Sequence, residues 1–200
     1  MFTTFSYIVA KEAWQKIDFD TTVKLQDRIS REYDSFFSYF SLLGSVEVTI
    51  GAALLLAILA FLRFKILAFL GWLMIIPATA FEVLGKILIF HPSTPVLFHR
   101  SVLESDLPSF YVQTNFSYPS GHVTRTAFFI TVFLSLIIFS KKGPLFKLVA
   151  LSLLLGVGFM MVLTRIYLGE HWLSDTIGGG FLGASFGLFA ACLIVKSKGK

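Results

Sequence analysis

The longest apolar stretch of the sequence, from Ser45 to Phe90, constrains the fold more than any other feature. It is far longer than one membrane span, and Arg63 and Lys65 interrupt it near its middle. A helix needs about 20 mainly apolar residues to cross a bilayer. Because lipid offers no partner to exposed backbone groups, such a stretch must form helices or part of a closed barrel. We therefore predict two membrane-spanning helices joined by a tight basic turn.

Three further apolar runs follow, at about residues 124–139, 144–163 and 176–195. Short polar segments at 141–143 and 164–175 separate them. Each run is close to the length of one span. The sequence therefore predicts an all-α fold, a polytopic transmembrane helical bundle with five spans preceded by a short or truncated N-terminal helix.

The composition agrees with a membrane protein, because 56% of the 200 residues are apolar, against about 45 to 50% in soluble domains. We predict a transmembrane core at residues 45–200 and an N-terminal segment at residues 1–44, with no separate soluble domain. The lone Cys192 excludes a disulfide framework and a cysteine metal site. The net charge of +5 comes from basic residues that flank the apolar runs, which indicates membrane topology rather than a nucleic-acid partner.

The basic clusters fall on every second connection between the spans and at the C-terminus. The positive-inside rule assigns such clusters to the cytoplasm. Segments 91–121 and 165–175 then share the opposite face. We predict a multi-pass protein of the plasma (inner) membrane whose chemistry faces the extracytoplasmic side. The clusters are Arg63 and Lys65, then Lys141, Lys142 and Lys147, then Lys196, Lys198 and Lys200.

The first 44 residues contain no full apolar run. Residues 1–10 are apolar, but Lys11 and Glu12 follow at once, so a helix there is short for a span. Residues 20–40 mix charged and apolar side chains as an amphipathic helix does. Two interpretations of this helix stay open: it lies along the membrane interface, or it is a solvated helix packed on the bundle.

The motif Pro119-Ser120-Gly121-His122 lies just before an apolar run. Proline and glycine favour a turn, and the amides that follow open a helix N-terminus that attracts anions. Ser120 adds a hydroxyl, and His122 adds a group that exchanges protons near neutral pH. Taken alone, the motif fits an anion site and a simple loop-to-helix junction with a capping serine equally well.

Arg165, His171 and Asp175 have the spacing R-x5-H-x3-D between the last two apolar runs. On a helix, His171 and Asp175 are one turn apart, so the carboxylate can accept a hydrogen bond from one ring nitrogen. The other nitrogen is then free to attack a substrate. Arg165 supplies a planar charge suited to phosphate oxygens. The alternative is a helix-end salt bridge between Asp175 and Arg165.

Lys86 lies near the outer end of an apolar run, four residues after Glu82. Charges inside a span usually face a partner or a polar cavity. An ion pair with Glu82 or snorkelling to the interface would explain this lysine. A third interpretation is that Lys86 joins Arg165, His122 and His171 on the same membrane face as a second cation for a phosphate.

Together the three motifs resemble the type 2 phosphatidic acid phosphatase superfamily, whose pattern is a lysine block ending in R-P, then P-S-G-H, then S-R-x5-H-x3-D. The chain matches the second block fully, and it matches the third with Thr164 in place of serine. It departs from the first block, where Ser93 stands at the position of the arginine and His91 lies just before it. The family usually has six spans. The resemblance covers roughly residues 82–183.

The resemblance implies an integral membrane lipid phosphatase. His171, oriented by Asp175, would attack phosphorus and form a phospho-histidine that water cleaves, while His122 protonates the leaving oxygen. Phosphoryl transfer depends chiefly on positioning and charge stabilisation, so neither a metal nor another cofactor is implied. The residues implied to hold the phosphoryl oxygens are Lys86, Arg165, Ser120 and Gly121, with His91 and Arg125 as auxiliary cations.

The implied substrate is a lipid phosphate reached from the bilayer, such as undecaprenyl diphosphate, phosphatidic acid or phosphatidylglycerol phosphate. Two alternatives stay open. A phosphotransferase would pass the phosphoryl group from His171 to another lipid or sugar instead of water. A phospholipid binder or transporter would hold the lipid without turnover, an interpretation that the missing arginine at Ser93 favours.

Overall fold

A computed structural model describes residues 1–103 and 116–197, and no strand occurs within these ranges. The all-α class is therefore confirmed. Lys198, Lys200 and the middle of segment 91–121 lie outside the described residues. The α-helices of the described chain are α1 (Phe2–Ala10), α2 (Gln15–Arg28), α3 (Asp34–Ser41), α4 (Val46–Leu62), α5 (Ile66–Leu73), α6 (Ile75–Leu88), α7 (Gly121–Ile138), α8 (Pro144–Tyr167) and α9 (Leu173–Lys196).

Five helical segments of the described chain are long and apolar enough to cross a membrane, as predicted. The chain is an integral multi-pass membrane protein. The first segment contains α3 and α4, the second contains α5 and α6, and α7, α8 and α9 each form one of the others. The segments are Arg31–Leu62, Ile66–Leu88, Gly121–Ile138, Pro144–Tyr167 and Leu173–Lys196.

The predicted basic turn separates the first two spans, because α4 ends at Leu62 and α5 begins at Ile66. Phe64 reverses the chain there with a φ of 56°, a conformation that few non-glycine residues adopt. The second span is broken between α5 and α6 at Met74. Pro77 lies in the first turn of α6, where its missing N–H breaks no intrahelical hydrogen bond. The proline therefore explains why a new helix begins after Met74.

The single amphipathic helix predicted at residues 20–40 is wrong. Helix α2 ends at Arg28, Ile29 is extended, and the Ser30 hydroxyl accepts a hydrogen bond from the Glu32 amide at 3.3 Å to start a 3₁₀ turn before α3. The capping serine breaks the helix. Because Asp18 on α2 is buried and accepts a hydrogen bond from the Ser174 amide at 2.8 Å, α2 packs on the bundle. The short helix predicted at the N-terminus is present as α1.

Three of the glycines of helix α9, Gly179, Gly183 and Gly187, lie at intervals of four residues on the side that faces α7. A Cβ at Gly183 would overlap the carbonyl oxygen of Thr124, and one at Gly187 would lie 2.8 Å from the carbonyl oxygen of Phe128. Small residues at this spacing let two membrane helices approach closely. The glycine stripe therefore brings the start of α7, with the Pro-Ser-Gly-His motif, beside the start of α9.

Candidate active site

His171 and Asp175 make the contact that their spacing predicts, but by a different local structure. His171 precedes α9, which begins at Leu173, and Asp175 lies in the first turn of that helix. The Asp175 carboxylate reaches back and accepts a hydrogen bond from the Trp172 amide at 3.0 Å, as a helix cap does. The same oxygen lies 3.3 Å from Nδ1 of His171. The contact therefore depends on a capped helix start, and the predicted helical turn through His171 is wrong.

Asp175 also binds a second histidine. Its other oxygen lies 2.7 Å from Nδ1 of His91, and Nε2 of His91 lies 3.6 Å from the Asp18 carboxylate. The His91 ring is therefore turned toward two carboxylates. Burial disfavours the charged ring, but the hydrogen bonds and charges of Asp175 and Asp18 outweigh it and raise the pKa of His91 to about 9. The structure places His91 behind Asp175, where its ring nitrogens are already occupied.

The His171 ring is neutral near neutral pH. Burial lowers its pKa, the contact with Asp175 opposes that shift, and the positive charges of Arg165 and Lys86 add to the lowering. A neutral ring that donates from Nδ1 to Asp175 has its lone pair on Nε2. His171 therefore has the protonation state that a nucleophile needs.

The Pro-Ser-Gly-His motif forms the start of α7, as its turn residues predict. Ser120 is the residue before the helix, and its amide donates to the backbone oxygen of Asp175 at 3.0 Å. This hydrogen bond ties the start of α7 directly to α9. The Ser120 hydroxyl is buried and has no hydrogen-bond partner within the described residues. His122 packs against Gly44, where an added Cβ would lie 3.0 Å from the Cβ of His122.

The predicted cations lie around the two histidines. The charges of Arg165, Lys86 and His171 all act on the His122 ring, so these residues, far apart in sequence, share one site. Arg165 is buried, and its guanidinium binds the Ser41 hydroxyl and the Glu170 carboxylate. The Arg165–Asp175 salt bridge considered from the sequence is not among its contacts. The Nε of Arg165 is buried and has no partner in the described part of the chain.

A buried carboxylate, Glu82, pairs with two of the cations. Lys86 donates to one of its oxygens at 2.7 Å, and Arg125 donates to the other at 2.8 Å. Arg125 also donates to the backbone oxygen of Gly44 at 3.0 Å and 3.2 Å. The Glu82 carboxylate lies so close to Gly121 that a Cβ there would overlap it. Only glycine at position 121 therefore lets Glu82 sit against the start of α7.

The ion pair between Glu82 and Lys86 was one of the interpretations open from the sequence, and it is present. Four other contributors, Asp18, Ser41, Gly44 and Ser174, could not be found from the sequence. Asp18, Ser41 and Gly44 lie on α2, on α3 and in the 3₁₀ turn after α3, outside the three motifs, and Ser174 is a variable position within the third motif, on α9. No local pattern marks them, because their contacts depend on helix packing. Within residues 1–103 and 116–197, no cluster of three or more His, Cys, Asp or Glu side chains is suited to hold a metal ion.

Two solved structures share this fold. LpxE from Aquifex aeolicus is 22% identical to this chain with a TM-score of 0.59, over 87% of this chain and 94% of that one. A transmembrane PAP2-type phosphatidylglycerolphosphate phosphatase from Bacillus subtilis is 15% identical with a TM-score of 0.61, over 99% of this chain and 90% of that one. No curated protein sequence matches the chain. At these identities the two structures show the fold alone.

The family follows from the sequence itself. The profile of the PAP2 superfamily matches residues 73–198, which is more than half of the 200 residues. The matched region contains Lys86, the Pro119–His122 motif and the Arg165–Asp175 motif. It also contains the departure at Ser93, where the family pattern has arginine. The chain belongs to the PAP2 superfamily, as the three motifs predict.

Proposed function

We propose that the chain is a membrane lipid phosphatase that hydrolyses a phosphate monoester or diphosphate of a lipid through a covalent phospho-histidine at His171. The observation that carries the proposal is the 3.3 Å contact between Nδ1 of His171 and Asp175. A carboxylate that fixes the tautomer of a histidine is the arrangement of catalytic triads. Membership of the PAP2 superfamily and the phosphatase activity named for the Bacillus subtilis neighbour support the same chemistry.

In this proposal the phosphoryl oxygens lie against Lys86, Arg165, the Ser120 hydroxyl and the Gly121 amide. Lys86 gives one N–H to Glu82, and an ammonium group has further N–H donors for a phosphate. The buried Ser120 hydroxyl, unpartnered within the described residues, would gain an acceptor from the substrate. The N-terminus of α7 adds the positive end of a helix dipole.

The first chemical step forms a bond between Nε2 of His171 and phosphorus and breaks the bond between phosphorus and the lipid oxygen. His122 gives its proton to that leaving oxygen. In the second step neutral His122 takes a proton from water, the water oxygen attacks phosphorus, and inorganic phosphate leaves His171. Cations and amides that are already in place stabilise the charge on the equatorial oxygens, so the proposal includes no metal.

The proposed substrate keeps its tails in the bilayer while its headgroup enters the site. His171 lies between α8 and α9, and Ser120 lies just before α7, so both are at the same end of the spans. The basic residues Arg63 and Lys141 lie in the turns at the other end. The positive-inside rule therefore supports a site on the extracytoplasmic side of the plasma membrane.

The test uses the purified full chain in detergent with undecaprenyl diphosphate, phosphatidic acid and phosphatidylglycerol phosphate, and it measures released phosphate. The wild type is expected to hydrolyse at least one of these. The variant His171→Ala should be slower by about 10³-fold or more, because removing a nucleophile removes most of the catalysis. His99→Ala is the matched control, since His99 is exposed and lies outside the site, and it should keep wild-type turnover.

Four results would contradict parts of this proposal. Full activity of His171→Ala would refute the nucleophile, and phosphate transfer that requires an added lipid or sugar acceptor would identify a phosphotransferase. Binding of the lipids without turnover would identify a non-catalytic binder. Loss of all turnover in EDTA would refute the metal-free chemistry. Substrate labelled with ³²P should also leave an acid-labile label on the wild type and none on His171→Ala.

A further inference from the structure

His91 and Asp18 form a buried network behind the proposed catalytic dyad. Asp18 is 2% exposed, His91 is 3% exposed and Asp175 is fully buried. The His91 ring joins the two carboxylates, with 2.7 Å to Asp175 and 3.6 Å to Asp18. The network thus connects α2 with the start of α9. The proposed chemistry does not use His91 or Asp18 to touch the substrate.

The distances indicate which contact holds the Asp175 carboxylate. Its bond to His91 is short at 2.7 Å, whereas its contact with His171 is long at 3.3 Å. Charge-assisted hydrogen bonds are short and are about twice as strong as neutral ones. His91 therefore fixes the rotation of the carboxylate more firmly than His171 does. Without His91, the carboxylate would keep its bond to the Trp172 amide but could turn away from His171.

Asp18 in turn holds both His91 and the start of α9. Its two oxygens accept hydrogen bonds from the Ser174 amide at 2.8 Å and the Ser174 hydroxyl at 2.7 Å. The first amides of a helix have no intrahelical partner, so Asp18 caps α9 from a different helix. One carboxylate thus positions both the helix that carries Asp175 and the ring that binds it.

We infer that His91 and Asp18 are positioning residues for the proposed phosphatase reaction: Asp18 holds a positively charged His91, and His91 aims Asp175 at Nδ1 of His171. This inference rests on the proposed function. Helix α2 then contributes to the reaction through Asp18. His91 then orients Asp175, whereas the family arginine, replaced here by Ser93, would bind phosphate.

The surroundings of His91 support a charged ring. Asp175 faces it from α9 and Asp18 faces it from α2. The Tyr118 ring lies edge-on to the His91 ring, with 6.3 Å between the ring centroids. Burial raises the pKa of Tyr118 to about 12, so this phenol is neutral. The Ser117 hydroxyl lies 3.2 Å from Nδ1, and the Ser174 hydroxyl lies 3.4 Å from Nε2. A neutral imidazole has one N–H, so only the charged ring presents an N–H toward each carboxylate, 2.7 Å from Asp175 and 3.6 Å from Asp18.

The experiment measures kcat and KM of the full chain in detergent for His91→Gln, Asp18→Asn and the double variant. We expect kcat to fall by about 10-fold to 100-fold in each single variant, by analogy with the loss of an outer-shell partner that orients a metal-bound histidine, with KM nearly unchanged. The double variant should be no slower than the slower single variant, because two residues in one chain of contacts are not additive. Asp27→Asn, an exposed acid on the same helix, is the matched control.

The pH dependence of kcat distinguishes a positioning role from a purely structural one, because a purely structural role of His91 would not change it. Because the pKa of His91 is raised to about 9, its charged form and its attraction to both carboxylates are present below that value and are lost as pH rises through it. The kcat of the wild type should therefore fall near pH 9, and this fall should be absent in His91→Gln. A wild-type kcat that stays flat through pH 9 would overturn the inference.

The outcomes separate this inference from the proposed function. A wild type without turnover refutes the proposed function. An active wild type with unchanged kcat in His91→Gln and in Asp18→Asn refutes the positioning role alone. A raised KM with unchanged kcat would instead make His91 a phosphate-binding cation and also overturn the inference. If His91→Gln fails to fold, as judged by its melting temperature, the Asp18→Asn result decides.

Discussion

At the scale of single residues, Glu82 places a carboxylate against Gly121 of the Pro-Ser-Gly-His motif, where the sequence predicts an anion site. It neutralises Lys86 and Arg125 at 2.7 Å and 2.8 Å. Arg125 is only 3% exposed, so this ion pair is shielded from water. Breaking a buried ion pair by removing one partner leaves an uncompensated charge, which costs about 3 to 5 kcal/mol.

We therefore predict that Glu82→Gln lowers the melting temperature of the protein in detergent, measured by the loss of fluorescence or of helical circular dichroism. Glu12→Gln is the control, because Glu12 is exposed and its substitution should leave the melting temperature unchanged. A Glu82→Gln variant as stable as the wild type would show that Arg125 is satisfied by Gly44 alone.

The sequence predicts most of the proposed site residues because their spacing is local. Arg165, His171 and Asp175 lie within one short segment, and the Pro-Ser-Gly-His motif is continuous. Asp18 is different: its bond to Ser174 joins the beginning of the chain to the last span. A contact of this kind follows from the packing of two helices, and neither residue carries a pattern that pairs them in advance.

At the scale of helices, the glycine stripe of α9 sets the distance between the two halves of the site. Gly183 meets the Thr124 backbone, and Thr124 is two residues beyond His122. Helix backbones move apart when a side chain is forced between them, and such overpacking costs about 1 to 3 kcal/mol. The position of His122 relative to Asp175 therefore depends on the lack of a side chain at Gly183.

We predict that Gly183→Ala lowers both the melting temperature and kcat, because it pushes α7 and with it His122 away from α9. Gly180→Ala is the matched control: it is on the same helix, and a Cβ there meets open space. Alanine is a better helix former than glycine by about 1 kcal/mol, so Gly180→Ala should be neutral or stabilising. Equal effects of the two substitutions, on stability and on phosphate release, would refute a role for close approach.

The helices also show where sequence patterns fail. The last four spans are predicted within a few residues because their apolar composition is a direct consequence of facing lipid. The first span begins at Arg31, well before the predicted Ser45, because α3 leads into α4 through a 3₁₀ turn.

The sequence does not predict the helix break at Ile29 and Ser30, because both neighbouring segments are amphipathic and a capping serine is a weak signal. The apolar composition also does not predict the break at Met74, although Pro77 lies in the first turn of the helix that follows it.

At the scale of the whole molecule, the proposed topology places the two ends of the bundle in different compartments. Ser101 lies at the end of the bundle that carries the proposed site. It follows Arg100, whose amide donates to the Leu168 backbone oxygen at 3.0 Å. Gly143 precedes α8 at the opposite end and is exposed. These two positions therefore report on opposite membrane faces.

We predict that a membrane-impermeant maleimide labels Ser101→Cys on intact spheroplasts and labels Gly143→Cys only after lysis. Both substitutions are made with Cys192→Ala, which removes the sole native cysteine. The Cys192→Ala chain alone is the control, and it should remain unlabelled throughout. The reverse labelling pattern would place the proposed site in the cytoplasm.

The bond between Asp18 and Ser174 has a consequence for biosynthesis. Asp18 is translated before any of the five spans, whereas His171 and Ser174 are translated only after four of them. While the last helix is still inside the ribosome, Asp18 lacks its hydrogen-bond partner Ser174, and the proposed nucleophile is not yet in place. The proposed nucleophile and its positioning residues can therefore come together only when the last helix packs against the first part of the chain.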